Sequence, residues 1–185
     1  MVLRRKKVDP LKSALTALYN VRASIQRLDS LIDRISSRRS KLMDMAVDLQ
    51  ARGETFLAKR YAEEIAKLDK MRSRLEVLKL VLEKVSLSID LAITMRDFKL
   101  IADEVSSIVS EIKKIPESRM PDLAVYFAEL DSSIRELASA DIDVGPPLSY
   151  DTTETPDVRR VLEEARSLLK TKLESENIQP PGLNK

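Results

Sequence analysis

Between Leu11 and Leu49 the apolar residues fall into two interleaved series. Leu11, Leu18, Ile25 and Ile32 repeat every seven residues, and Ala14, Val21, Leu28, Ile35, Leu42 and Leu49 do the same, offset by three. These are the a and d positions of a heptad pattern, which predicts one long helix with a single apolar seam. Arg39 is the one charge at an a position. Asp9-Pro10 suits the helix start: Asp caps well, and Pro stands where its missing N–H has no partner to lose. No further Pro or Gly intervenes until Ala51-Arg52-Gly53, which reads as a turn because Gly53 sits where a helix end favours φ > 0. About 40 residues make a rod of roughly 60 Å. A rod of that kind needs a partner helix to cover its seam.

The partner follows directly. Leu57, Tyr61, Ile65, Leu68, Met71, Leu75, Leu78, Leu82, Val85, Ile89 and Ala92 mark every third or fourth position. A turn this short makes the two arms antiparallel. Glu63 and Lys67 stand in the favourable i,i+4 order on the exposed side. Leu80, Val81, Leu87 and Leu91 lie off the stripe, so a third element or another subunit is expected to cover them. Near Thr94 and Asp97 the pattern allows two structures. Asp97 suits the cap of a new helix with the stripe Phe98, Ile101, Val105, Ile108, Ile112 and Ile115, yet nothing forbids a single helix from Glu54 to Ile115. The segment Thr94 to Phe98 is therefore expected to be a hinge between a compact and an extended state, with Thr94 and Asp97 as its hinge residues.

Pro116 and Pro121 bracket the next break, and a fourth helix carries Leu123, Phe127, Leu130, Ile134 and Leu137. The resulting fold class is all-α: a long antiparallel hairpin plus two or three shorter helices. Residues 1–10 form a basic tip. A helical core runs over 11–139, with the hairpin at 11–93 and helices at about 97–115 and 121–139. Residues 140–155 read as a Pro-containing linker, 156–175 as a last helix with Val158, Leu162, Ala165, Leu169 and Leu173 in line, and 176–185 as a disordered tail.

Composition narrows the chemistry. The 185 residues contain no Cys and no His, so transition-metal sites and the usual catalytic constellations lose their commonest members. No enzyme activity and no cofactor is expected. Neither a signal-peptide core nor a membrane-spanning run of about 18 apolar residues is present, and a cytoplasmic protein is expected. The net charge is only +2, but it is unevenly spread. Residues 1–52 carry twelve Lys/Arg against five Asp, and residues 103–185 carry ten against seventeen acids. A basic first part suits an anionic surface, and an acidic last part suits folding back to mask it.

Two basic features are candidate contacts with such a surface. Val2 and Leu3 precede Arg4, Arg5, Lys6 and Lys7, an arrangement suited to an anionic headgroup layer as well as to a solvated terminus. Arg27, Arg34 and Lys41 recur at seven-residue spacing with Arg38 beside them. That is a solvated face or, given the preference for Arg over Lys, a binding face.

The run Arg27-Leu28-Asp29, the segment Arg38 to Met43, and Gly53 followed by Ala58-Lys59-Arg60-Tyr61-Ala62-Glu63-Glu64-Ile65 resemble the hairpin of ESCRT-III (Snf7-type) proteins, and most closely the archaeal CdvB-type cell-division branch. The resemblance covers roughly Leu11 to Leu173 and is to a shorter paralogue without the winged-helix module. It implies a non-enzymatic subunit that polymerises with itself and with paralogues on anionic membrane. It implies constriction or scission of that membrane, at the inner face of the division site. The N-terminal cluster and the Arg27, Arg34, Arg38 and Lys41 face would contact lipid, and the acidic C-terminal helices would hold the free subunit closed.

The resemblance also implies removal of subunits by a Vps4-type AAA ATPase whose MIT domain binds a C-terminal motif. Leu162-Glu-Glu-Ala165-Arg166-Ser-Leu168-Leu169-Lys170 approaches the helical form of that motif, making Leu162, Arg166, Leu169 and Lys170 candidates. It departs at Ala165-Arg166, where Arg-Leu is expected, and at Arg159, where an acid is expected. Pro146 and Pro147, or Pro180 and Pro181, offer the extended form, and a short packing helix is the plainer reading of the same segment. The alternative function is a coiled-coil scaffold or adaptor without membrane activity. Nucleic-acid binding is not expected, since aromatics are few and the basic stripe is interrupted.

Overall fold

The computed structural model describes residues 9–139 and 155–176; in the second segment side chains are described for Arg160, Val161, residues 163–171 and Glu174. Val2, Leu3, Arg4, Arg5, Lys6, Lys7, Pro146 and Pro147, the Leu162 side chain, the linker over 140–154 and the tail over 177–185 lie outside what is described.

The heptad arm is one helix, α1, Pro10–Ala51. Asp9 starts it, its carboxylate accepting the Leu11 N–H at 3.1 Å. At the other end Gly53 donates to the Gln50 carbonyl at 3.1 Å and Glu54 to the Leu49 carbonyl at 2.9 Å. This is a Schellman motif, and Gly53 takes the left-handed position in it with φ 78°.

The second arm, α2, spans Thr55–Met95 and runs antiparallel to α1. Cross-pairs set the register: Arg22 to Asp90 at 3.3 Å, Lys79 to Asp29, and Arg39 to Asp69 at 2.6 Å. Arg39, the charge in the seam, thus reaches the edge and a carboxylate. Hydrogen bonding and charge from Asp69 hold its guanidinium above its ordinary pKa. Leu28 of α1 and Leu75, Leu78, Leu82 and Ile89 of α2 are fully buried, each contributing about 1.5–3 kcal/mol.

The seam fades at both ends of the hairpin. Leu11 is exposed because its partner position in this register falls near residue 97, where the chain has already turned away. Leu57 is exposed beside the tight turn. The expected Glu63–Lys67 pair is not formed; Lys67 pairs instead with Glu64, at 3.7 Å.

Helix α2 stops without Gly or Pro. Arg96 donates to the Ile93 carbonyl at 3.1 Å and Asp97 to the Ala92 carbonyl at 2.9 Å, the same motif that ends α1. Here Arg96 takes the left-handed position, with φ 56°. Asp97 then caps the next helix, accepting the Leu100 N–H at 3.2 Å. Phe98–Leu100 (α3), a π-helical turn over Ile101–Val105 and Ser106–Ile112 (α4) follow, then a 3₁₀ turn over Pro116–Arg119. Helix α5, Pro121–Ser139, lies along α1, and α6, Thr155–Glu176, lies along α2.

The α3–α4 stripe is buried: Ile101, Val105, Ile108 and Ile112 pack into one core with the hairpin and with Leu123, Leu130, Ile134 and Leu137 of α5. The 3₁₀ turn is tied to the middle of α2 through Glu117, a buried carboxylate that accepts from Arg74 Nε at 2.6 Å. Among the described residues no helix is long and apolar enough to cross a membrane.

Candidate functional site

Two residues of the basic stripe of α1, Arg27 and Arg34, lie beside α5. Arg34 donates to the Asp122 carboxylate at 2.7 Å. Arg27 donates to the Tyr126 hydroxyl at 3.4 Å and stands over its ring, 5.9 Å from the centroid. The Tyr126 hydrogen bond is the main reason its guanidinium is held above its ordinary pKa. One heptad further back, Asn20 is buried with its side-chain oxygen lacking a hydrogen-bond partner, and Ser13 donates to Glu136 at 3.4 Å.

Ser13, Asn20, Arg27 and Arg34 thus form one polar line, seven residues apart, that α5 covers with Glu136, Tyr126 and Asp122. Both ion partners at Arg34–Asp122 are substantially exposed, so the contact contributes little to stability and is readily exchanged. Arg38 reaches Glu64 of α2 at only 3.9 Å, and Lys41 is exposed. Sequence reasoning anticipated masking of the basic half by the acidic half. It did not single out Asp122 and Tyr126, whose spacing on one face of α5 was the available signal.

Of the candidate ATPase-binding residues, Leu169 and Arg166 are packed into the folded chain. Leu169 is buried with Ala165, and Arg166 is half-buried, facing Glu104 of the π-turn at 3.5 Å. Lys84 of α2 bonds Glu164 at 2.9 Å. Lys170 points outward.

At the expected hinge, Thr94 belongs to α2 and donates to the Asp90 carbonyl at 3.0 Å, while Asp97 caps α3. The break itself is at Arg96, between them. Of the off-stripe residues, Val81 is buried, whereas Leu80 is 43%, Leu87 67% and Leu91 40% exposed.

Those three residues continue into the next element. Leu80, Lys84, Leu87, Leu91, Thr94, Phe98, Ile101, Val105, Ile108, Ile112 and Ile115 alternate strictly by four and three. This is a single coiled-coil seam, and it faces one way only if the helix is unbroken through Arg96. In the folded chain its second half is buried, whereas its first half exposes Leu80, Leu87 and Leu91, with Lys84 held by Glu164. The seam was countable in the sequence but is obscured there by the stronger stripe of α2.

Two known proteins are similar to the chain in sequence. Over 161 residues, 86% of its length, the chain is 30% identical to Cell division protein B1 of Sulfolobus acidocaldarius, of which it spans 75%. Over 170 residues, 92% of its length, it is 24% identical to Cell division protein B of the same organism, of which it spans 65%, just under two thirds. No protein-family model and no solved structure matches the chain.

Proposed function

The chain belongs to the CdvB-type branch of the ESCRT-III family, and from that premise we propose that it is a subunit of a membrane-bound polymer acting in archaeal cell division. The closed form, with α5 and α6 against the hairpin, is the stored subunit. Its assembling form has one helix from α2 through α4, which aligns Leu80, Leu87 and Leu91 with Phe98 to Ile115 as a seam for a second copy or a paralogue. The observation that carries this reading is the strict four–three spacing that runs unbroken in the sequence through the helix break at Arg96 and Asp97. The closed chain buries only the second part of that stripe and leaves Leu80, Leu87 and Leu91 exposed.

Opening would also withdraw α5 from Arg27 and Arg34. Together with Arg38 and Lys41 these would then meet anionic lipid at the inner face of the division-site membrane. The N-terminal Val2, Leu3 and Arg4, Arg5, Lys6 and Lys7 would add an anchor. Release of α6 would expose Arg166 and Leu169 beside Lys170 and Leu162, the helical candidates for the disassembling ATPase; Pro146 and Pro147 are the extended ones.

The test is electron microscopy of the purified chain, with residues 140–185 removed, on vesicles with and without anionic lipid. Filaments or deformed vesicles that require anionic lipid are expected. A stable dimer indifferent to salt and lipid would favour the scaffold reading, and failure to assemble alone and with paralogues would refute the proposal.

A further inference from the structure

The hairpin turn carries a second surface that α5 and α6 leave uncovered. Phe56 is 72% exposed and Val47 62%, and Leu57, Met43 and Met45 are exposed beside them. All lie within the last turns of α1 and the first turn of α2, around Gly53. Such clustering at one end of a rod is not the scatter of single apolar residues that any surface shows.

The charges around the cluster are mixed but mostly free to be positive. Lys41, Lys59 and Arg60 are exposed and form no ion pair among the described residues. Arg52 is paired with Asp48 at 2.6 Å, and Asp44 and Glu54 are the remaining acids.

The position of the cluster matters more than its net charge. Arg27, Arg34, Arg38, Lys41, Met45 and Arg52 follow one another at spacings of seven, four, three, four and seven, so they share one face of α1. The basic stripe therefore runs into the apolar end. Its inner half, Arg27 and Arg34, is occupied by Tyr126 and Asp122, whereas its outer half is open in the folded chain. We propose that the hairpin end is a landing site for an anionic bilayer, in which Phe56, Val47, Leu57 and Met45 enter the headgroup layer and Lys41, Lys59 and Arg60 contact lipid phosphates. An apolar end rimmed by Lys and Arg is the chemistry of interfacial insertion. The site is available before α5 moves, so the closed subunit contacts the membrane end-on, and displacement of α5 from Arg27 and Arg34 follows. This inference rests on the membrane reading above.

The chain has no Trp, so Phe56→Trp places a single fluorescent reporter at the site, and its exposure makes the change harmless to packing. Full-length protein is mixed with vesicles of phosphatidylcholine alone and of equal parts phosphatidylcholine and phosphatidylglycerol. The expected result is a blue shift with quenching by bromine-labelled acyl chains on the anionic vesicles only. Phe56→Asp is expected to lower the vesicle partition coefficient about tenfold. If the wild type sediments with anionic vesicles while the indole of the Phe56→Trp variant keeps a water-exposed spectrum, this inference fails and the polymer reading stands. If the full-length wild type does not sediment, this inference fails, and the polymer reading is decided by the chain lacking residues 140–185. A blue shift that grows with protein concentration without vesicles identifies the end as a contact between copies and overturns the proposal.

Discussion

Arg96→Gly separates the closed and extended forms with little effect on folding itself. In the closed form Arg96 is the only non-Gly residue with positive φ among the described residues. A left-handed conformation costs an L-residue about 1–2 kcal/mol, and Gly removes that cost. In the extended form the same position is a helix interior, where Gly is worse than Arg by roughly 0.7 kcal/mol. Most of that penalty is the greater freedom of Gly in the unfolded chain, which weakens both forms equally and cancels between them. The removed left-handed cost therefore favours the closed form by about 1.5 kcal/mol, or roughly tenfold in the equilibrium.

The assay is light scattering or sedimentation of assembly on anionic vesicles over a protein titration, beside urea denaturation of the monomer. The threshold concentration for assembly is expected to rise by roughly tenfold, with the monomer's urea midpoint nearly unchanged. Assembly of Arg96→Gly at the wild-type threshold would refute the reasoning. Asp97→Ala acts in the opposite sense: it removes the cap on Leu100 N–H, which exists only in the closed form, and is expected to lower the threshold by about fivefold.

Leu87→Ser is expected to leave the monomer's stability within about 0.5 kcal/mol, because the side chain already faces water, but to abolish pelletable assembly. Asp122→Asn frees Arg34 at a stability cost within about 1 kcal/mol and is expected to raise vesicle binding at low salt, read by co-sedimentation. Lys79 has its pKa raised, chiefly by its hydrogen bond to Asp29. Its contribution to the hairpin is therefore complete below the ordinary Lys value and lost as pH climbs through the raised one, so stability is expected to fall above about pH 10.4. Thermal melts of wild type and Lys79→Met across that range should converge at high pH.

The hairpin was legible because α1 keeps one period over more than ten turns, and because Asp9-Pro10 and Gly53 punctuate it chemically. Periodicity does not report where a seam loses its partner: Leu11 and Leu57 satisfy the pattern but sit where the facing chain has turned. The break after α2 was visible only as an ambiguity around Thr94 and Asp97, because it depends on a left-handed Arg96. No local residue preference announces that conformation; the burial of Phe98 to Ile115 against the hairpin stabilises it. The docking of α5 was legible as gross charge, basic before acidic. The pairing of Arg34 with Asp122 and of Arg27 with Tyr126 depends on a tertiary register that charge counting does not contain. Glu64, not Glu63, holds Lys67, and Glu64 also faces Arg38 of α1 across the hairpin.

The most direct test of the account is the distance between Lys67 and Lys114 on and off the membrane. Both point outward, and the chain has no Cys, so Lys67→Cys and Lys114→Cys supply the only labelling sites. In the closed form Lys67 lies about 10 Å along α2 from Arg74. Arg74 is bonded to Glu117, three residues from Lys114. The labels then stand about 20–25 Å apart, whereas a continuous helix places them roughly 70 Å apart. Single-molecule energy transfer is expected to be high for free protein and low for protein assembled on anionic vesicles. High transfer in the assembled state would contradict the central claim that the break at Arg96 closes the stored subunit and is straightened in the polymer.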